Sequence, residues 1–204
     1  MWDIPGIIKK SINGKGNTIK GSNYELNSVQ VKIFGSNNII TIGENTILTN
    51  LKFEIKGSNN LISIGSDCKL KGHILQKDIG SKIIIGNNTT IGHSAYFLAQ
   101  ENCNIEIGKD CMFSYRVTVR TTDAHSIIDL ATGERLNKAK DVTIGNHVWI
   151  GADVMLSKGA SIPNDCIVGT RALVTKNFSE PNCVIAGVPA KVLKTGVNWS
   201  RERI

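Results

Sequence analysis

From Ile144 onward an apolar residue returns at every sixth position, as Ile144, Ile150, Leu156, Ile162, Val168 and Val174. Four places after each stands a residue that is mostly small: Val148, Val154, Ala160, Cys166, Ala172 and Phe178. Glycine often follows the large aliphatic, as at Gly145, Gly151 and Gly169. The same hexapeptide recurs earlier in Ile42 with Leu48, Ile64 with Leu70, Ile85 with Ile91 and Phe97, and Ile107 with Phe113 and Val119. A longer period overlies it, because "IFGSNNIITIG" at 33–43 returns as "IKGSNNLISIG" at 55–65. A unit with one large and one small inward residue is what a flat strand followed by a tight corner requires. Three such units close a triangle, and the next coil stacks about 4.8 Å away through parallel hydrogen bonds. The pattern therefore predicts an all-β solenoid of stacked coils forming a single domain over 1–204. Coils before Phe97 are longer than three hexapeptides, which predicts irregular N-terminal coils with extra corner residues over 11–84. Regular coils follow over 85–193 and a tail over 194–204. In "AGVPAKVLK" Pro189 lacks a backbone donor and is expected to close the last edge.

The pattern breaks once. Counting by six from Ile107 gives Phe113, Val119 and then His125, where an inward aliphatic is due. A polar ring in the core would be costly, so the chain is expected to leave the prism there. From about Thr122 to Asp141 the sequence is polar and irregular, and the repeat resumes at Ile144. That interval is close to two short coils, so the protruding loop, about 122–142, is expected to replace roughly one coil. A solenoid gains nothing from ordering a long arm on its outside, and insertions of this length are usually functional.

Composition narrows the rest. Aromatics are only 5% and glycine reaches 20 residues, which suits short strands and tight turns. The formal charge of +7 comes from scattered Lys and Arg with no basic run interleaved with aromatics, so no nucleic-acid partner is expected. The start "MWDIPGIIKKSING" has too short an apolar stretch for a signal peptide, and no apolar run is long enough to span a membrane, so a cytoplasmic protein without an integral membrane segment is expected. Five cysteines with no CxxC pair indicate neither a disulfide framework nor zinc. Cys68, Cys111 and Cys166 fall on the small inward positions and read as compact core groups. No histidine pair has metal-ligand spacing, so no catalytic metal is expected. His147 reads as a solvated surface residue, and His73 and His93 as corner residues.

The hexapeptide repeat, the break at "TTDAHS" and the Trp of "VWIG" 24 residues after His125 resemble the left-handed parallel β-helix acyltransferases. Within that superfamily the pattern "DAHSIID…GERLNKAKDVTIGNHVWIG…GVPAKV…NW" is most similar to bacterial enzymes that O-acetylate sugars of surface polysaccharides. The resemblance implies left-handed winding, acetyl-CoA as cosubstrate, and a homotrimer whose interruption loops reach across to neighbouring subunits. It also implies that His125 is the general base and that active sites lie between subunits. An imidazole, substantially neutral near pH 7, suits the task of taking a hydroxyl proton. Asp123 or Asp129 could fix its tautomer. Trp149 would line the channel for acetyl and pantetheine, next to Gly151 and Ala152. Ala152 stands where maltose and galactoside acetyltransferases have Ser, so an oxyanion contact there would use the backbone amide. Lys176 and Lys191 match nucleotide-binding positions of relatives, with Lys158, Arg171, Thr170 and Thr175 as further coenzyme contacts. Thr170 and Arg171 replace the usual "GAG" run.

The leading expectation is transfer of acetyl from acetyl-CoA to a sugar hydroxyl of a surface polysaccharide or its precursor. The alternatives are N-acetylation of an amino sugar or small amine, and a non-catalytic β-helix scaffold. The "DAHS" and "VWIG" pair argues against the scaffold.

Overall fold

The computed structural model describes residues 5–203. Among them there is no helix, and the strands run through about eight turns of a left-handed parallel β-helix with three faces. The first face stacks Thr18–Gly21, Ile39–Ile42, Leu61–Ile64, Lys82–Ile85, Ile105–Ile107, Val142–Ile144 and Ser161–Ile162 as one parallel sheet. The second face carries, among others, Thr90–Ile91, Met112–Phe113, Trp149–Ile150, Ile167–Val168 and Cys183–Gly187. The third carries Ile7–Asn13, Val29–Phe34, Tyr96–Ala99, Thr118–Arg120, Met155–Leu156 and Leu173–Val174. The strands Ile47–Lys56 and Lys69–Lys77 run through the second edge and belong to both of these faces.

The sixfold period is the register of this prism. On the first face Ile42, Ile64, Ile85, Ile107, Ile144 and Ile162 lie directly above one another. On the third, Ile74, Phe97, Val119, Leu156 and Val174 do the same. All eleven are buried, and each large aliphatic or aromatic contributes about 1.5–3 kcal/mol by leaving water. At the first edge, between first and second faces, the inward column is Thr46, Cys68, Thr89, Cys111, Val148, Cys166 and Cys183, with no exposure at any of them. The threonines fit because Thr46 Oγ1 donates to Gly65 O at 2.8 Å and Thr89 Oγ1 to Gly108 O at 3.1 Å.

The N-terminal coils step by 21 or 22 residues, as from Ile40 to Ile62 and from Leu61 to Lys82, and the irregularity expected there takes the form of register shifts between Ile7 and Lys9 and between Leu48 and Leu51. Their extra residues lengthen the third face and its following corner. There the repeated "GSNN" builds a buried ladder. Asn38 donates its backbone N–H and Nδ2 to Asn17 Oδ1, both at 3.0 Å, and Asn60 repeats this on Asn38 at 3.0 and 3.1 Å. After Ile144 the step falls to 18 residues, as between Ile144 and Ile162.

Two expectations are corrected. Ile107 pairs directly with Ile144, so the loop does not replace a coil; it is inserted into one at the third edge, between third and first faces. The stack continues because Val142 N donates to Asn104 O and Asn104 N to Asp141 Oδ1, which restores the ladder as soon as the chain returns. The C-terminal end is closed by an antiparallel hairpin of Cys183–Gly187 with Ala190–Thr195, so Pro189 lies in the turn rather than on the edge. No described helix is long and apolar enough to cross a membrane.

Candidate active site

The inserted arm, about 122–141, is a small hairpin. Ile128 bridges Arg135 in antiparallel fashion, and Asp129 N donates to Glu134 O and Leu136 N to Ile127 O. Its hinge is Asn137, which is buried. Asn137 Nδ2 donates to His125 O at 2.8 Å and to Asp123 Oδ2 at 2.9 Å, and its Oδ1 accepts from Ile127 N at 2.7 Å. Arg135 ties the returning limb to the stack through Glu101, at 2.6 and 3.1 Å, and Thr122 Oγ1 donates to the same carboxylate at 2.5 Å. Hydrogen bonds from these two residues hold Glu101 below the usual carboxylate range, Arg135 first. The side chains of Ile127, Ile128, Leu130 and Leu136 are exposed on the arm.

His125 is exposed on the outgoing limb, and among the described residues its ring makes no hydrogen bond. Neither carboxylate proposed to orient it does so within the chain. Asp123 is ion-paired with Lys158 and bonded to Asn137, which together hold it below its ordinary value. Asp129 accepts from Thr132 N and Ala131 N, both at 2.8 Å, and so shapes the arm tip. Lys158 also donates to Asn137 O at 3.2 Å. It therefore braces the arm base and is not a free cation.

Trp149 points outward from the second face, 39% exposed. Gly151 and Ala152 turn the second edge, between second and third faces. A Cβ on Gly151 would meet Thr170 N at 2.7 Å and Val168 O at 2.9 Å, so only glycine fits. Ala152 is buried, and its carbonyl accepts from Arg171 N at 2.8 Å. Its amide has no acceptor within the described residues, as is true of the equivalent His93 and Tyr115 amides. Thr170 and Arg171 are exposed on the same edge one coil later. Thr175 and Lys176 are exposed on the third edge, Lys176 Nζ lying 5.2 Å from the Phe178 ring centre. Lys191 is exposed on the closing hairpin, opposite Ala186.

The expected residues thus lie apart, with Gly151, Ala152, Thr170 and Arg171 on the second edge and Lys191 on the closing hairpin. His125, Asp123, Lys158, Thr175 and Lys176 share the third edge, whereas Trp149 lies on the second face, which is opposite that edge across the prism. The chain's own fold does not bring His125 and Trp149 together.

Three residues escaped sequence reasoning: Asn137, Trp199 and Arg201. His147 is only partly solvated, since Trp199 stacks on it at 4.3 Å and Asp165 Oδ1 lies 3.0 Å from its Nδ1. His73 lies on the third face rather than at a corner, 3.1 Å from Glu54. No described group of three or more His, Cys, Asp or Glu could hold a metal ion.

No family model matches the chain. It is 50% identical over 48 residues to a polysialic acid O-acetyltransferase of Neisseria meningitidis, a segment covering 24% of this chain and 22% of that protein. Two solved structures match nearly the whole chain. The polysialic acid O-acetyltransferase OatWY aligns with a TM-score of 0.92 and 37% identity, over 97% of this chain and 93% of that one. The polySia-specific acetyltransferase NeuO gives 0.88 and 35%, over 95% and 82%. A galactoside acetyltransferase solved with coenzyme A gives 0.52 and 25%, over 70% and 65%.

Proposed function

Since the chain belongs to the family of polysialic acid O-acetyltransferases, built on the hexapeptide-repeat fold, we propose that it transfers acetyl from acetyl-CoA to a hydroxyl of an anionic surface polysaccharide, of the polysialic acid kind. The observation that carries the residue assignment is the placement of His125 and Trp149 on opposite sides of one prism. A working site then takes the arm of one subunit and the second face of its neighbour in a closed homo-oligomer, for which our reading is a trimer. The exposed apolar residues of the arm, Ile127, Ile128, Leu130 and Leu136, supply a surface suited to burial on that neighbour.

In this site His125 accepts the proton of the acceptor hydroxyl as the new C–O bond forms, and the same proton is then available to the departing thiolate. The unpaired Ala152 amide is the donor for the developing oxyanion. Trp149 gives a flat apolar wall that aligns the thioester. Arg171, Lys176 and Lys191 are exposed cations suited to the coenzyme phosphates, beside Thr170 and Thr175. In this reading the reaction takes place in the cytoplasm, where acetyl-CoA is at hand.

The test is coenzyme A release with oligomers of sialic acid of graded length and with neutral and amino sugars. Transfer to the sialic acid oligomers, giving a product whose acetyl is removed by mild alkali, supports the reading. Transfer only to amines, giving an alkali-stable amide, overturns it in favour of N-acetylation.

A further inference from the structure

The chain past its last strand runs back down the outside of the prism along the first edge. Val197 N donates to Asn182 O at 3.0 Å. Trp199 Nε1 donates to His147 O at 2.9 Å. Arg201 then donates to Asp110 Oδ1 at 3.1 Å, Thr90 Oγ1 at 3.0 Å, Cys111 O at 3.0 Å and Asn88 O at 3.2 Å. Asn88, Asp110, His147 and Asn182 are left-handed corner residues of four of the five coils the tail passes, with φ of 58°, 55°, 51° and 55°, the coil of Asp165 lying between the last two. The tail is therefore a strap laid along the first edge, held by hydrogen bonds to backbone carbonyls and side chains of its corners.

Trp199 is the centre of this strap. It is only 8% exposed, although it lies outside the prism interior. Its ring stacks on the His147 imidazole at 4.3 Å and 9°, and Arg201 covers it at 5.6 Å. Asp165 pins His147 from the next coil. The remaining neighbour is the Trp149 ring, at 6.2 Å and 47°. An outward indole on a flat face would otherwise have water on both sides and several rotamers open to it. With one flank held by Trp199, it presents a single face outward.

We propose that Trp199 is a positioning residue for Trp149, and that the C-terminal strap fixes the orientation of the indole that lines the acetyl-transfer channel. This rests on the reading of Trp149 as a channel wall. The strap adds nothing to closure of the core, which the antiparallel hairpin already completes. Its detachment is a local opening and leaves the coils intact.

The chain has three tryptophans, so in a Trp2→Phe background both Trp199→Ala and Trp199→Phe leave Trp149 as the single emitter. The Phe variant keeps a stacking ring beside Trp149; the Ala variant removes it. Expected for Trp199→Ala are lower fluorescence anisotropy and stronger acrylamide quenching of Trp149 than in Trp199→Phe, at the same melting temperature. The KM for acetyl-CoA should rise about 3- to 10-fold in the Ala variant, the scale of one aromatic pair, and return most of the way in the Phe variant. Arg201→Ala, which removes the strap's hydrogen bonds at this end together with the cation over the Trp199 ring but leaves both indoles in place, should shift anisotropy in the same direction. Equal anisotropy and equal KM in the Ala and Phe variants overturn the proposal, as do losses that only follow a lowered melting temperature. A parent protein that binds no coenzyme A sinks the acetyltransferase reading instead, while the anisotropy difference still decides the strap.

Discussion

His125 has the chemistry of a base and none of the surroundings of a structural histidine. It is exposed, and only its backbone carbonyl is held, by Asn137. Replacing the ring with a methyl group removes almost no packing, so His125→Ala should lower turnover about 100- to 10,000-fold while the melting temperature and assembly stay at parent values. A folded, assembled variant with near-parent turnover would falsify its role as base. His125 stands out in the sequence because it breaks a period: an imidazole stands where the sixth-position rule demands an aliphatic. Asn137 was not legible, although it fixes the backbone on either side of that imidazole, because an asparagine inside a polar loop interrupts no pattern. The carboxylates misled for a related reason. Asp123 lies close to His125 in sequence, but its cation, Lys158, is 35 positions away and comes beside it only through the coil stack. Cys68, Cys111 and Cys166 read correctly from the same column rule, and Cys183 joins their column. Burial pushes Cys111 up to about 11 and Cys183 up to about 12, which leaves both as packing groups rather than nucleophiles.

At the scale of elements, periodicity supplied the hexapeptide columns but not inward residues of the longer strands such as Val31, Phe53 and Ile74, and it said little about outward ones. The strand Ile47–Lys56 shows what was hidden. Its outward Glu54 is nearly buried between Lys52 and Lys56, with His73 3.1 Å away on the next coil. Burial pushes the Glu54 carboxyl up, but hydrogen bonds and charges from Lys52 and Lys56 outweigh it and bring it down from 4.5 to about 2. A carboxyl whose folded value lies below its unfolded one adds stability that is complete above about pH 4.5 and is lost as the pH falls through about 2. The contribution is roughly 3 kcal/mol at neutral pH. Exposed pairs such as Arg116 with Asp153 add little by comparison. Glu54→Gln should therefore unfold more easily than the parent at pH 6, with the gap closing as both are taken to pH 2 in urea melts. A gap that stays constant across that range would remove the ion cluster as its cause. The arm was hidden differently: its length was read, but a 37-residue interval fits either two short coils or one coil with an insertion. Only the pairing of Ile107 with Ile144 separates them.

For the whole molecule, the triangular section sets the argument. A face and the edge opposite it cannot meet within one prism, so His125 and Trp149 can act on one acceptor only when two copies of the chain lie side by side. Light scattering should accordingly give three times the chain mass at micromolar concentration. Complementation is the stricter test, because it reads the site and not merely the assembly. His125→Ala and Trp149→Ala should each be nearly inactive as pure proteins, through loss of the base in one and of thioester alignment in the other. Unfolded together at equal amounts and refolded, they form mixed trimers. In these, some sites pair an intact arm from the Trp149→Ala chain with an intact second face from the His125→Ala chain. If arm and face come from different subunits, random assembly makes about one quarter of the sites whole, so about one quarter of parent activity should return. If both residues acted from the same subunit, every site in every mixed trimer would carry one defect and activity would stay at the level of the separate variants. That second outcome, in a sample whose mass and melting curve match the parent, would dissolve the composite site and leave the arm's exposed apolar residues without the role assigned to them.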